Sequence, residues 1–162
     1  MLARANSYLH AGAALVDRAL VLNPNLATAW FISGWVRNYL GEPEMAIEHF
    51  MRAMRLNPLD PLTFGMQTGI AAAHFLAGRY DESSSWAEKA LLEHANFLPA
   101  MRMAAASHAL AGRPEAAQEA LARMRRIDPM LRVSTLTDLF PFRGPEDRAR
   151  YAEGLRKAGL PE

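Results

Sequence analysis

The sequence predicts an all-α protein: a solenoid of antiparallel helix pairs with a C-terminal capping helix. Trp30, Gly34, Ala46, Phe50, Ala53 and Pro58 follow one another at the offsets of a two-helix unit about 34 residues long. Weaker copies recur downstream at nearly the same stride, with Gly78 and Gly112 separated by 34 residues. Proline and an acidic residue open helices in register, as Pro43-Glu44 and again as Pro114-Glu115. Such a pair cannot bury its apolar face alone. It must stack, and a stack offers a long surface rather than a catalytic cleft.

The first unit, 27–60, places helices near 26–40 and 43–56. Gly41 ends the first helix. Pro43 stands in a first turn, where its missing N–H would be unpaired anyway, and Asn57-Pro58 stops the second helix. Ala46 and Ala53 are small where the helices cross, and Phe50 is the large residue between them.

The second unit, 61–97, turns at Gly78-Arg79-Tyr80 between helices near 61–77 and 80–93. Asp60-Pro61 suggests an N-cap followed by a first-turn proline. Gly41 and Gly78 are 37 residues apart, so this helix should begin about one turn early. Ser83, Ala87 and Ala90 take the packing positions. The third unit, 98–131, carries Ala117, Leu121 and Met124 there and closes at Asp128-Pro129.

Residues 8–25 match only the second half of a unit, through Gly12, Val16, Ala19 and Pro24. Either the chain is an excised piece of a longer protein or its N-terminal edge is bare. Residues 132–162 are expected to cap the other end within one domain, 1–162: a short apolar helix near 131–139 meets Pro141, and a last helix runs from Pro145 to Gly159. That helix has Glu146 and Asp147 in its first turn, and Arg156 and Lys157 in its last. Tyr151, Leu155 and Ala158 share one face, as suits a cap with one side on the stack and one in water.

The charge balance of +1 argues against a dedicated nucleic-acid binder. No cysteine is present, which excludes disulfides, thiolate metal sites and a cysteine nucleophile. No apolar run approaches the roughly 20 residues of a membrane span, and the N-terminus lacks signal-peptide features. A cytoplasmic location follows as the default. No nucleotide fingerprint, phosphate loop, zinc-protease motif or serine elbow is present, so neither catalysis nor a cofactor is expected.

The set Trp30, Gly34, Ala46, Phe50, Ala53 and Pro58 resembles a tetratricopeptide repeat, and the resemblance covers about residues 12–131. It implies a right-handed superhelix. A narrower resemblance lies in Trp35–Pro43, Asn57–Pro61, Ala77–Glu82 and Gly154–Glu162. These segments are similar to the C-terminal repeat regions of bacterial class III adenylate/guanylate cyclase-like proteins. That resemblance implies a regulatory or interaction module, with no counterpart here of the cyclase domain itself. Some winged-helix transcription regulators carry similar tails.

In tetratricopeptide repeats the first helix of each pair lines the concave face. The positions that usually meet a ligand fall on Thr28, Phe31, Trp35 and Asn38, then Gly65, Thr68, Ala72 and Phe75, then Pro99, Arg102, Ala106 and Ala109. Phe31, Trp35 and Tyr39 form an aromatic stripe along one helix face, a pattern suited to interface anchors or to packing. The groove is therefore expected to hold a protein or peptide partner; only Arg102 could serve as a clamp, so no selective binding of a terminal carboxylate is expected. The alternative is assembly, in which the N-terminal edge self-associates and joins two copies. His74 and His108 occupy equivalent positions; without converging carboxylates they suggest packing rather than a metal site. Arg123, Arg125, Arg126 and Arg132 form a local basic cluster of the kind that is usually a solvated face.

Overall fold

Three glycines turn each helix into its antiparallel partner. Gly41, Gly78 and Gly112 have φ of 77°, 74° and 76°, a left-handed conformation that strains any residue with a side chain. The structure, a computed structural model, describes residues 2–138, 142 and 144–162. Its helices are α1 (Leu2–Leu22), α2 (Ala27–Leu40), α3 (Pro43–Leu56), α4 (Thr63–Leu76), α5 (Tyr80–Glu93), α6 (Leu98–Leu110), α7 (Pro114–Ile127) and α8 (Pro145–Ala158), with a 3-10 helix at Val133–Asp138. No strand occurs among the described residues. Each of α2 to α7 packs on its neighbours in chain order, and α2, α4 and α6 also touch in sequence along one side.

Two local expectations change. Helix α4 starts at Thr63, not near 61. The Asp60 carboxylate accepts the Leu62 N–H at 2.8 Å, and Thr63 Oγ1 donates to the Asp60 carbonyl at 2.7 Å. Asp60-Pro61 is thus a turn ahead of the helix. Compared with the next unit, the longer stride is taken up mainly in the loop 57–62 and by one extra helical residue. The apolar helix expected near 131–139 is the 3-10 helix instead; Pro141 lies outside the described residues. Thr135 Oγ1 bonds the Arg132 backbone as both donor and acceptor, a local alternative that competes with α-helix formation.

Phe50 centres the first core and is fully buried, with Ala46 and Ala53 beside it. Gly34 on α2 and Gly69 on α4 make room for its ring. A Cβ at Gly34 would come within 2.6 Å of it, and one at Gly69 would overlap it outright. The second core spans α4 to α8 and includes Phe75, Met101, Met103, Met124, Tyr151 and Leu155.

Arginines tie consecutive units together. Arg37 pairs with Asp17 of α1 at 2.7 Å, Arg79 with Glu44 of α3 at 2.7 Å, and Arg113 with Asp81 of α5. Arg79 Nε donates to His74 Nδ1 at 2.9 Å, and Arg113 Nε to His108 Nδ1 at 3.0 Å. The two histidines are therefore orienting acceptors for the linking arginines. Each pair has a carboxylate open to water, so screening keeps its contribution small; the three recur at successive junctions.

Burial, and then the nearby Arg37, hold the His49 pKa below its ordinary value; burial and then Arg79 do the same for His74. The folded state therefore binds these protons less readily than the unfolded chain. Stability should be full above the unfolded value of 6.5 and decline as pH falls below it. The urea midpoint should drop between pH about 7.5 and about 5.5, above the range where carboxylates titrate. Replacing His49 and His74 with Gln should flatten that drop; an unchanged slope would refute the assignment.

Candidate partner-binding surface

Helix α8 does not extend the stack. It lies along α6, reaches α4, and meets α7 mainly at its end, where Gly159 approaches Leu121. It therefore covers α6, the first helix of the third unit, and the C-terminal end of α4. Tyr151 stands edge-on to Phe75 with ring centroids 5.5 Å apart, and Phe142 stacks on Phe75 at 5.3 Å. Gly154 lies so close to α6 that a Cβ there would be 2.9 Å from the Ala106 carbonyl oxygen. Arg150 Nη2 donates to the Leu76 carbonyl at 3.1 Å, satisfying a carbonyl left free at the end of α4. As expected of a cap, Glu153, Arg156 and Lys157 on the other side are exposed.

The proposed groove residues consequently divide into two sets. On α2, Thr28 and Tyr39 are exposed, and Phe31 and Trp35 are half-buried. Phe31 lies 6.2 Å from Phe50, and Trp35 is edge-on to Phe50 at 5.5 Å and 6.4 Å from Tyr39. The aromatic stripe exists, with its inner edges rooted in the first core. Asn38 is buried and donates from Nδ2 to the Gly69 carbonyl at 2.8 Å, tying α2 to α4. Thr68 is buried, its hydroxyl donating to the Phe64 carbonyl. Ala72, Phe75 and Ala106 are fully buried and Arg102 nearly so. Gly65, Pro99 and Ala109 are half-buried.

Arg102 is not an open clamp in this structure: it hydrogen-bonds Tyr151, whose phenol burial pushes up to about 12. In the basic cluster, Arg125, Arg126 and Arg132 are exposed, whereas Arg123 borders a small polar pocket with Glu88, His108 and Glu119.

A signal for this closure lies in the composition of α4 and α6. Ile70, Ala71, Ala72 and Ala73 are consecutive buried residues, as are Ala100 to Ala106, all apolar except Arg102. A helix this widely apolar must be covered on more than one side. A second feature is an apolar face left uncovered on α1. Tyr8, Leu15 and Leu22 are 74%, 70% and 78% exposed on one face of α1. Beside them is a groove of about 260 Å³ between α1 and α2, lined by Leu15, Val16, Ala19, Leu26, Ala29 and Ile32 among others. No helix among the described residues is long and apolar enough to cross a membrane.

No protein-family model and no curated protein matches this sequence. Solved structures do. A crystal structure of MamA aligns with a TM-score of 0.70 at 17% identity, covering 96% of this chain and 89% of that one. PilW, a type IV pilus biogenesis factor, aligns at 0.68 and 19% identity over 88% of this chain and 62% of its own. The first TPR domain of human RPAP3 aligns at 0.61 and 17%, over 84% of this chain and 97% of that domain. Likeness at such identity is likeness of fold: this chain is an all-α, tetratricopeptide-type α-solenoid.

Proposed function

We propose that this chain is a protein-interaction scaffold whose partner meets the α2 side of the concave face. The observation that carries this is the row Phe31, Trp35 and Tyr39, rigid aromatics partly open to solvent where α8 does not reach. Half-buried aromatics fixed by a core are efficient anchors, because little side-chain freedom is lost on binding. Phe31→Ala and Tyr39→Ala should each weaken partner capture by about 30-fold, the effect of losing a hot spot of about 2 kcal/mol. The check is quantitative capture from extract by the purified chain, with helical content followed by circular dichroism. An identical captured set for wild type and folded variants would sink this reading.

The finer assignment is a C-terminal regulatory or interaction module of a bacterial cyclase-like signalling protein, in the cytoplasm. It rests on the resemblance in residues 35–43, 57–61, 77–82 and 154–162. The genomic sequence upstream of Met1 tests it: a cyclase domain in the same reading frame supports it, and a stop codon there excludes it.

The N-terminal face favours a second reading, self-association. An exposed stripe of Tyr8, Leu15 and Leu22 is the kind of helix face that another helix covers. Sedimentation across micromolar concentrations should show association that Leu15→Glu abolishes. A wild-type chain that stays monomeric throughout would contradict this reading.

A further inference from the structure

The C-terminal helix is bound like a guest. Repeat helices come in pairs, each first helix packed on its own second helix; α8 has no such mate, lies along α6 and touches the C-terminal end of α4. Its contacts with the α4–α6 surface are those of a docked helix. Tyr151 meets Phe75 beside Phe142, Gly154 allows backbone approach at Ala106, and Arg150 donates to the Leu76 carbonyl. Leu155 and Ala158 complete the buried face. Without α8, helices α4 and α6 would retain α5 and α7 as partners.

We propose that the concave surface of α4 and α6 is a helix-binding groove, with α8 as its built-in occupant. The ligand that replaces α8 is an amphipathic helix of the same chemistry: an aromatic residue, a glycine three positions on, a leucine next and a small residue three beyond that, as in Tyr151-x-x-Gly154-Leu155-x-x-Ala158. The aromatic meets the Phe75 ring edge-on. The glycine is obligatory, because any Cβ would strike the Ala106 backbone. An arginine one residue before the aromatic bonds the free carbonyl of α4. This inference rests on the reading of the concave side as a protein-binding face and extends it to a part that α8 holds closed. While α8 is seated, external helices bind with an apparent affinity reduced by the small fraction of open molecules.

The test uses the full chain and a synthetic peptide of residues 144–160 as probe. In the chain, Gly154→Leu should unseat α8, since the Leu Cβ would strike α6. The unlabelled wild-type chain should bind the peptide at least about ten-fold more weakly than the Gly154→Leu chain, the factor by which the open fraction differs. A peptide carrying the same Gly-to-Leu change should not bind the Gly154→Leu chain. A Gly154→Leu chain that keeps its helical content but binds the peptide no better than wild type overturns the proposal. Should the variant unfold, hydrogen exchange on the wild-type chain decides. Amides of α8 should then exchange at least about ten-fold faster than those of α6, by opening separately; equal rates would mean that α8 opens only with the whole domain and would overturn the proposal. A negative peptide result leaves the α2 aromatic face standing, because Phe31 and Tyr39 test that face on their own.

Discussion

Phe50→Ala is expected to cost about 3–5 kcal/mol, among the largest single losses in this chain. The ring is fully buried and fills the space left by Gly34 and Gly69, with Phe31 and Trp35 against its edges. Alanine would leave a cavity bounded by backbone from α2 and α4, which cannot collapse without moving both helices. Stability in a stacked array is held by unit and interface terms between neighbours, so the damage should begin locally. Hydrogen exchange should accelerate in α2 and α3 before α6 and α7. The converse change, Gly69→Ala, should cost about 1–3 kcal/mol by overpacking, because the new methyl overlaps the same ring. Urea unfolding measures both. A loss below about 1 kcal/mol for Phe50→Ala would mean that the α2–α4 junction is looser than described.

Phe75→Ala should also cost about 3–5 kcal/mol, and its consequence separates two roles for the same residue. As an open groove anchor, Phe75 would weaken partner binding when replaced while leaving the fold intact. In the structure it is fully buried among Tyr80, Phe142 and Tyr151, with ring centroids between 5.3 and 5.5 Å away. Its removal should therefore destabilise the domain and release α8, seen as loss of exchange protection within Pro145–Ala158. A Phe75→Ala chain with wild-type stability would contradict the packing of α8 on α4.

Much of this architecture is local in origin, which is why the helices could be read from residues alone. Glycines at helix ends, prolines in first turns and alanines at crossings act within a few positions of themselves. They place α2, α3, α5 and α7 closely. The start of α4 was less legible, because Asp60-Pro61 satisfies the rules for a helix cap equally well as a turn that stops short of one. The course of α8 was not legible from its own pattern. Tyr151, Leu155 and Ala158 reveal an apolar face but not which surface it covers. That choice is tertiary: it depends on the wide apolar surface of α4 and α6, which demands cover beyond α5 and α7. The groove positions suffered from the same non-local fact. Transferring them from the repeat pattern assumes an open concave face, and beyond α2 that face is filled here.

Helix α8 closes the solenoid over α6 and the end of α4 and leaves α2 open. Nuclear Overhauser contacts of the full chain in solution test it most directly. Cross-peaks are expected between the Tyr151 and Phe75 rings and between Gly154 and Ala106, with no contact from α8 to Phe31 or Tyr39. Contacts from Tyr151 and Leu155 to the outer side of α7 instead, with Phe75 and Ala106 open to solvent, would contradict it.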